Sequence, residues 1–376
     1  MRDEWLFPTQ EVGSLRKPLW LVEGLRGQPL SPNARAELAR WVPRLPVPAT
    51  DGALARAMSS GAFPRDAASL RDLGALFLLR LLERAGLDRV YDGEARRVEM
   101  YEYPIRQMEG FDFLGHVRSF DNKYYLKAAS VGPVGLKAPY HVEEFRFARE
   151  RATRPLKVPV TGAYTLADWS WNEFYLRRRP GWKGPRLRRA AQRDLVVALA
   201  RDALRPTLRA LTRAGAELIQ IDEPAGGTHP NETELLVEAF NESTRGLPGK
   251  FVMHICFSDY RSLFPALFEA KRCSQFLLEF ANRITPASPE LKDLEVFAEH
   301  NDGRELGVGV LDVHQDRVET PEEVETRLLS AARALGDPAL VYANPDCGLR
   351  TRTLEVAWAK LRSLVEGASR ARKAAT

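Results

Sequence analysis

One histidine, two cysteines and one glutamate close short apolar runs in this chain, and together they carry the donor chemistry of a zinc site. His254 and Cys256 end the run Phe251-Val252-Met253-His254-Ile255-Cys256, Glu279 ends Phe276-Leu277-Leu278-Glu279, and Cys347 follows Val341-Tyr342-Ala343-Asn344-Pro345-Asp346. Side chains two apart on a strand share a face, so His254 and Cys256 can grip one ion. Thiolates and imidazole select zinc over magnesium or calcium. Two cysteinates, a carboxylate and a neutral imidazole around Zn2+ leave a formal charge of about −1, an electron-rich shell. Three histidines would instead favour water activation. A free thiol, with pKa about 8.5, is mostly protonated at neutral pH, and binding to zinc removes that proton. Glu279 is the donor least matched to soft zinc. A purely structural site with four closed ligands is the alternative; placement at strand ends favours the reactive one.

The elements that must position these residues are short apolar runs ending in polar ones. They end at Glu11-Val12-Gly13-Ser14, at Val90-Tyr91-Asp92-Gly93-Glu94, and at Val158-Pro159-Val160-Thr161-Gly162. Others end at Leu218-Ile219-Gln220-Ile221-Asp222-Glu223-Pro224, at Cys256, at Glu279, at Val310-Leu311-Asp312-Val313-His314, and at Cys347. Continuous apolar strands are typical of parallel sheets covered on both faces. Helical patterns alternate with them. Ser31-Pro32 opens one that runs to Val42, residues 187–214 form a long one, Thr320-Pro321-Glu322-Glu323 is a capping box, and residues 353–366 close the chain as a helix. The expected fold is α/β: a (β/α)8 TIM barrel spanning residues 1–376 as one domain. A doubly wound sheet is the competitor, but no Gly-rich phosphate loop follows the first strand. Residues 118–144 read as an inserted β-hairpin or lid, residues 174–189 as a basic loop that is either solvated or an anion clamp, and residues 369–376 as frayed.

Composition bounds the function classes. The chain has 376 residues, with 55 Lys plus Arg against 50 Asp plus Glu. That mild, diffuse excess does not point to nucleic acid. Three cysteines are too few for a disulfide framework, and thiols kept as ligands fit a reduced, cytoplasmic setting. The first residues lack a signal-peptide pattern, and no apolar run reaches the roughly 20 residues that span a bilayer.

Taken together, the strand ends resemble the cobalamin-independent methionine synthase family, in its catalytic C-terminal half and in a short "core" form. The resemblance rests on Val12-Gly13-Ser14, Gly93-Glu94, Val160-Thr161-Gly162 with Trp169-Ser170, and Gln220-Ile221-Asp222-Glu223-Pro224-Ala225. It continues through His254-x-Cys256, Glu279, Asp312-x-His314 and Asn344-Pro345-Asp346-Cys347-Gly348-Leu349. It implies a TIM barrel, one zinc, and methyl transfer to the homocysteine thiol to give methionine. On it, His254, Cys256, Glu279 and Cys347 ligate the metal. Val12, Gly13, Ser14, Glu94 and Asp222 hold the amino acid, His314 is the proton donor, and Trp169 packs beside the methyl donor. The chain departs from the family pattern where Thr228 replaces a glutamate and where residues 123–130 lack an Arg-Cys pair; the full-length family carries a second, N-terminal barrel, whereas this sequence starts almost at the first catalytic strand. Both replaced positions are tied to folate. The donor is therefore either 5-methyltetrahydrofolate or a methylated corrinoid, as methylcobalamin or on a corrinoid protein.

Rival readings stand beside this one. The chain could methylate a different thiol or a selenol, or be a non-catalytic metal subunit that docks a methyl-carrier protein. Two carboxylates, Glu94 and Asp222, suit an ammonium group and so an amino-acid thiol. His314 could be a satisfied core histidine. Cys273 and the remaining histidines receive no role.

Overall fold

The structure is a computed structural model that describes residues 6–45, 51–118, 124–284, 291, 293–300 and 302–375. Nine strands are formed: β1 (Met108–Arg118), β2 (Tyr124–Leu136), β3 (Val158–Thr161), β4 (Trp171–Asn172), β5 (Leu218–Asp222), β6 (Lys250–Ile255), β7 (Cys273–Leu278), β8 (Glu305–Leu311) and β9 (Val341–Pro345). Six of them make a parallel sheet in the order β3-β5-β6-β7-β8-β9. Nearly every residue of these six is buried, because helices cover one face and the other faces the interior. Single parallel bridges continue the series from Ala343 to Thr9, from Gln10 to Arg89, and from Val90 to Leu156. The expected first and second strands are thus reduced to bridges, and the pairing order is that of an eight-membered β/α barrel.

Inside this sheet Val12, Leu218, Val252 and Leu277 form a small apolar cluster of their own. A much larger core fills the space between strands and helices and runs from Phe7 to Ala371. The helix Pro32–Trp41 begins where expected, with Ser31 Oγ accepting from Ala34 N at 3.1 Å. Thr320 and Glu323 form the expected capping box before the helix Pro321–Leu335, an arrangement worth about 1 kcal/mol.

Three expectations need correction. The inserted hairpin comprises β1 and β2, which pair antiparallel from Met108–Leu136 to Arg118–Tyr124, so it starts and ends earlier than residues 118–144. The later part of that range enters the helix Val142–Arg151. Apolar residues at alternate positions of β1 pack inward while Leu114 and His116 face out, the two-residue period of a strand. The basic stretch 174–189 is largely helical, as Phe174–Arg177 and the start of Gly184–Ala198, and its arginines are engaged: Arg179 meets Asp194 at 2.6 Å, and Arg179 and Arg186 lie over the Trp182 ring. The last helix extends from Leu354 to Ala375 because Arg372 is tied down. No helix among the described residues is long and apolar enough to cross a membrane.

Candidate active site

Two parallel strands deliver the three soft donors. His254 lies near the end of β6, Cys256 just beyond it, and Cys347 two residues past β9. Their ligand atoms lie within 4.8 Å of one another. Nδ1 of His254 is 3.0 Å from the Leu277 carbonyl on the neighbouring strand, which fixes the ring and its tautomer. The buried Nε2 has no hydrogen-bond partner and is left for an outside ligand. An orphaned imidazole nitrogen beside two sulfurs is a donor set that zinc fits.

Protons are shared within this group. Cys347 is held well below the usual thiol range, first by its hydrogen bond from Cys256 and then by His254. Cys256 is pushed well above that range by the same bond and by burial. Burial lowers His254, but the adjoining Cys347 thiolate outweighs it and brings the imidazole to about 9.

Glu279, expected as fourth ligand, stays outside that compact group. Its Oε2 accepts from Phe257 N and from Asn282 Nδ2, both at 2.9 Å. Its Oε1 is buried without a hydrogen bond and lies 3.9 Å from His314 Nε2. Glu279 raises the pKa of His314, with burial opposing. The His314 ring is partly exposed and packs edge-on against Phe257, with centroids 5.1 Å apart. Phe257 itself is 66% exposed in a left-handed conformation at φ 56°, which is unusual for an aromatic residue and marks a functional mouth.

Glu94 lies beside Gly13 of the first-strand segment, and Asp222 is joined to Val12 of that segment through Gln220. A Cβ on Gly13 would come within 3.3 Å of Glu94 Oε1, and one on Gly348 within 3.0 Å of both Ser14 N and Ser14 O. The loop carrying Cys347 therefore rests on Gly13-Ser14. The Val12 carbonyl accepts from Gln220 Nε2, which also donates to Asp222 Oδ1 at 2.6 Å. Burial pushes Asp222 up to about 7, despite His254 nearby. Arg97 sits 3.7 Å from Glu94 and is itself fixed by Glu144 and the Pro159 carbonyl. Lys157, fully buried, donates to the Glu11 carbonyl and to Gln220.

Trp169 belongs to a separate aromatic group under the hairpin, with ring centroids 5.6 Å from Tyr125 and 6.4 Å from Tyr101. In the Asp222-Glu223-Pro224 motif, Glu223 has a framework task. Its carboxylate accepts from Tyr164 N, Thr165 N and Thr165 Oγ1 and so caps the helix Ala163–Asp168 that leads to Trp169. A Cβ on Gly162 would overlap that carboxylate, hence the glycine. Gln220, Lys157, Arg97, Tyr260, Phe257, Asn282 and Asp346 were missed from the sequence. Polar residues inside an apolar strand, Gln220 and Lys157, were the available signal.

A family model described as "Cobalamin-independent synthase, Catalytic domain" matches residues 74–370. This chain belongs to the cobalamin-independent methionine synthase family. A methionine synthase of Thermococcus kodakarensis is 36% identical over 96% of this chain and 92% of its own length. One from Thermoplasma acidophilum is 38% identical over 76% and 85%. A solved B12-independent methionine synthase from Shewanella sp. W3-18-1, in complex with selenomethionine, superposes with a TM-score of 0.74 at 25% identity, covering 98% of this chain and 99% of that one. The fold of that family and the fold described above therefore agree.

Proposed function

We propose that this protein is a zinc-dependent methyltransferase that moves a methyl group onto the thiol of homocysteine, giving methionine. The observation that carries this is the buried, unpartnered Nε2 of His254 beside the two sulfurs of Cys256 and Cys347. These three residues would hold the metal, with Glu279 as the outlying fourth ligand. When bound, zinc supplies Lewis acidity that keeps the substrate sulfur as a thiolate at neutral pH. Relatives named methionine synthase along nearly the whole chain support the substrate.

The chain's own residues orient the amino acid. Glu94 and Asp222 provide carboxylates for the ammonium group, and the backbone of Val12, Gly13 and Ser14 lines the opposite side. Gln220 fixes Asp222, and Arg97 stands behind Glu94. His314 is placed to give a proton on the donor side, backed by Glu279. For the donor, the family description supports 5-methyltetrahydrofolate over a corrinoid, since it is cobalamin-independent. Trp169, with Tyr125 and Tyr101, offers the aromatic face on which a flat ring stacks.

The test is direct. Purified protein should contain zinc and form methionine from homocysteine and 5-methyltetrahydrofolate, with methylcobalamin and a methylated corrinoid protein as parallel arms. Methionine in none of the three arms would sink the proposal. Cys347→Ser should lower metal affinity by more than about 100-fold, beyond the loss typical of outer residues, and abolish turnover.

A further inference from the structure

Asp346 is fully buried directly before Cys347, and its carboxylate ligates no metal-type cluster among the described residues. It reaches sideways across β8 to the loop that follows β7. Oδ1 accepts from Phe280 N at 2.9 Å and Ala281 N at 3.0 Å, and Oδ2 accepts from Asn282 N at 2.7 Å. A Cβ on Gly309 would overlap Oδ1, so β8 carries glycine where the side chain crosses. This bond set folds the loop back so that Asn282 Nδ2 meets Glu279 Oε2 at 2.9 Å. Phe257 N, next to Cys256, holds the same oxygen at 2.9 Å. One oxygen of Glu279 is thus tied twice, while the other is buried and unpartnered beside His314.

We infer that Asp346 and Asn282 are positioning residues for Glu279: they hold it by one oxygen at the edge of the His254–Cys256–Cys347 group, so that its other oxygen would be left for a metal held there. This rests on the metal reading above. Neither residue needs to touch substrate or metal. Asp346 couples the strand that carries Cys347 to the orientation of the fourth donor, so one carboxylate sets two parts of the centre. An amide at 346 can accept from only one side of the loop, which makes Asp346→Asn a specific lesion. Asn282 is only partly buried, so Asn282→Ala is the variant that retains the fold.

The experiment loads wild type, Asn282→Ala and Asp346→Asn with zinc or Co(II), and reads zinc release to a chelator and the Co(II) absorption spectrum. Both variants should release zinc roughly 10- to 100-fold faster, as outer-shell losses do, with an altered Co(II) spectrum and retained circular dichroism. In a Glu279→Ala background the effect of Asn282→Ala should shrink to less than about twofold, because residues acting through one another are not additive. Unchanged release and spectrum in folded Asn282→Ala, or a full additional loss in the Glu279→Ala background, would overturn the inference alone. A wild-type protein that binds neither metal overturns the metal reading and this inference with it.

Discussion

Without metal, the three soft donors pull on protons in opposite directions: the bond between the two cysteines holds Cys347 well below the usual thiol range and Cys256 well above it, and the neighbouring Cys347 raises His254 to about 9. Metal ligands must be deprotonated, so zinc uptake at pH 7 should expel about two protons. Calorimetric titration in buffers of differing ionisation enthalpy counts them, and a count near zero would contradict this pattern. The donors themselves were legible in the sequence because residue type dictates softness and a strand's period dictates facing. Their support was not. Tyr260, whose hydroxyl joins the Ile255 carbonyl to Glu279 N, and Asp346, which holds the backbone amides of Phe280, Ala281 and Asn282, act through backbone groups far away in the chain, and no local spacing encodes that.

At the level of elements, capping decides where several functional side chains point. Glu223 looked like part of a ligand motif, yet it caps the short helix before Trp169 from across the sheet. Hydrogen bonds to a buried charged group are worth about 1.5 to 3 kcal/mol each when lost. Glu223→Ala should therefore destabilise the protein by about 2 kcal/mol or more in urea unfolding and shift the fluorescence of Trp169. His141 offers a second test. It sits at φ 65° before the helix Val142–Arg151, stacked on Tyr103, and burial together with Arg97 lowers its pKa to about 4. An unfolded histidine titrates near 6.5, so the neutral, buried ring contributes fully above pH 6.5. That contribution drains as pH falls through 6.5 towards 4, by at most about 3 kcal/mol. Urea midpoints between pH 7 and 5 should show the decline, and His141→Asn, which tolerates the left-handed backbone, should flatten it. The hairpin's existence was readable from Tyr124 to Val131. Its first strand was not, because Gly110 and Gly115 accompany breaks in its register and blur the alternation.

For the molecule as a whole, alternation of apolar runs and helices was enough to give the α/β order, since parallel strands covered on both sides must be nearly continuous in apolar residues. What it could not give was how the first and last segments meet. Arg372, in a stretch expected to fray, donates to the Leu6 carbonyl at 2.7 Å, the Phe7 carbonyl at 3.2 Å and Asp88 at 2.6 Å. Asp88 in turn accepts from Thr9 N and Oγ1. Deleting residues 369–376 should lower stability by about 1 to 3 kcal/mol, the worth of such charge-assisted bonds, and depress the melting temperature measurably; an unchanged melt would show that this tie is idle.

The bridge between Thr9 and Ala343 carries a consequence for biogenesis. A ribosome emits His254 and Cys256 well before Cys347, so a nascent chain exposes a two-donor fragment with its third partner still unmade. The first segment likewise lacks its neighbouring strand until Ala343 is made, so the two ends of the series join, and the three donors meet, only when translation is nearly finished.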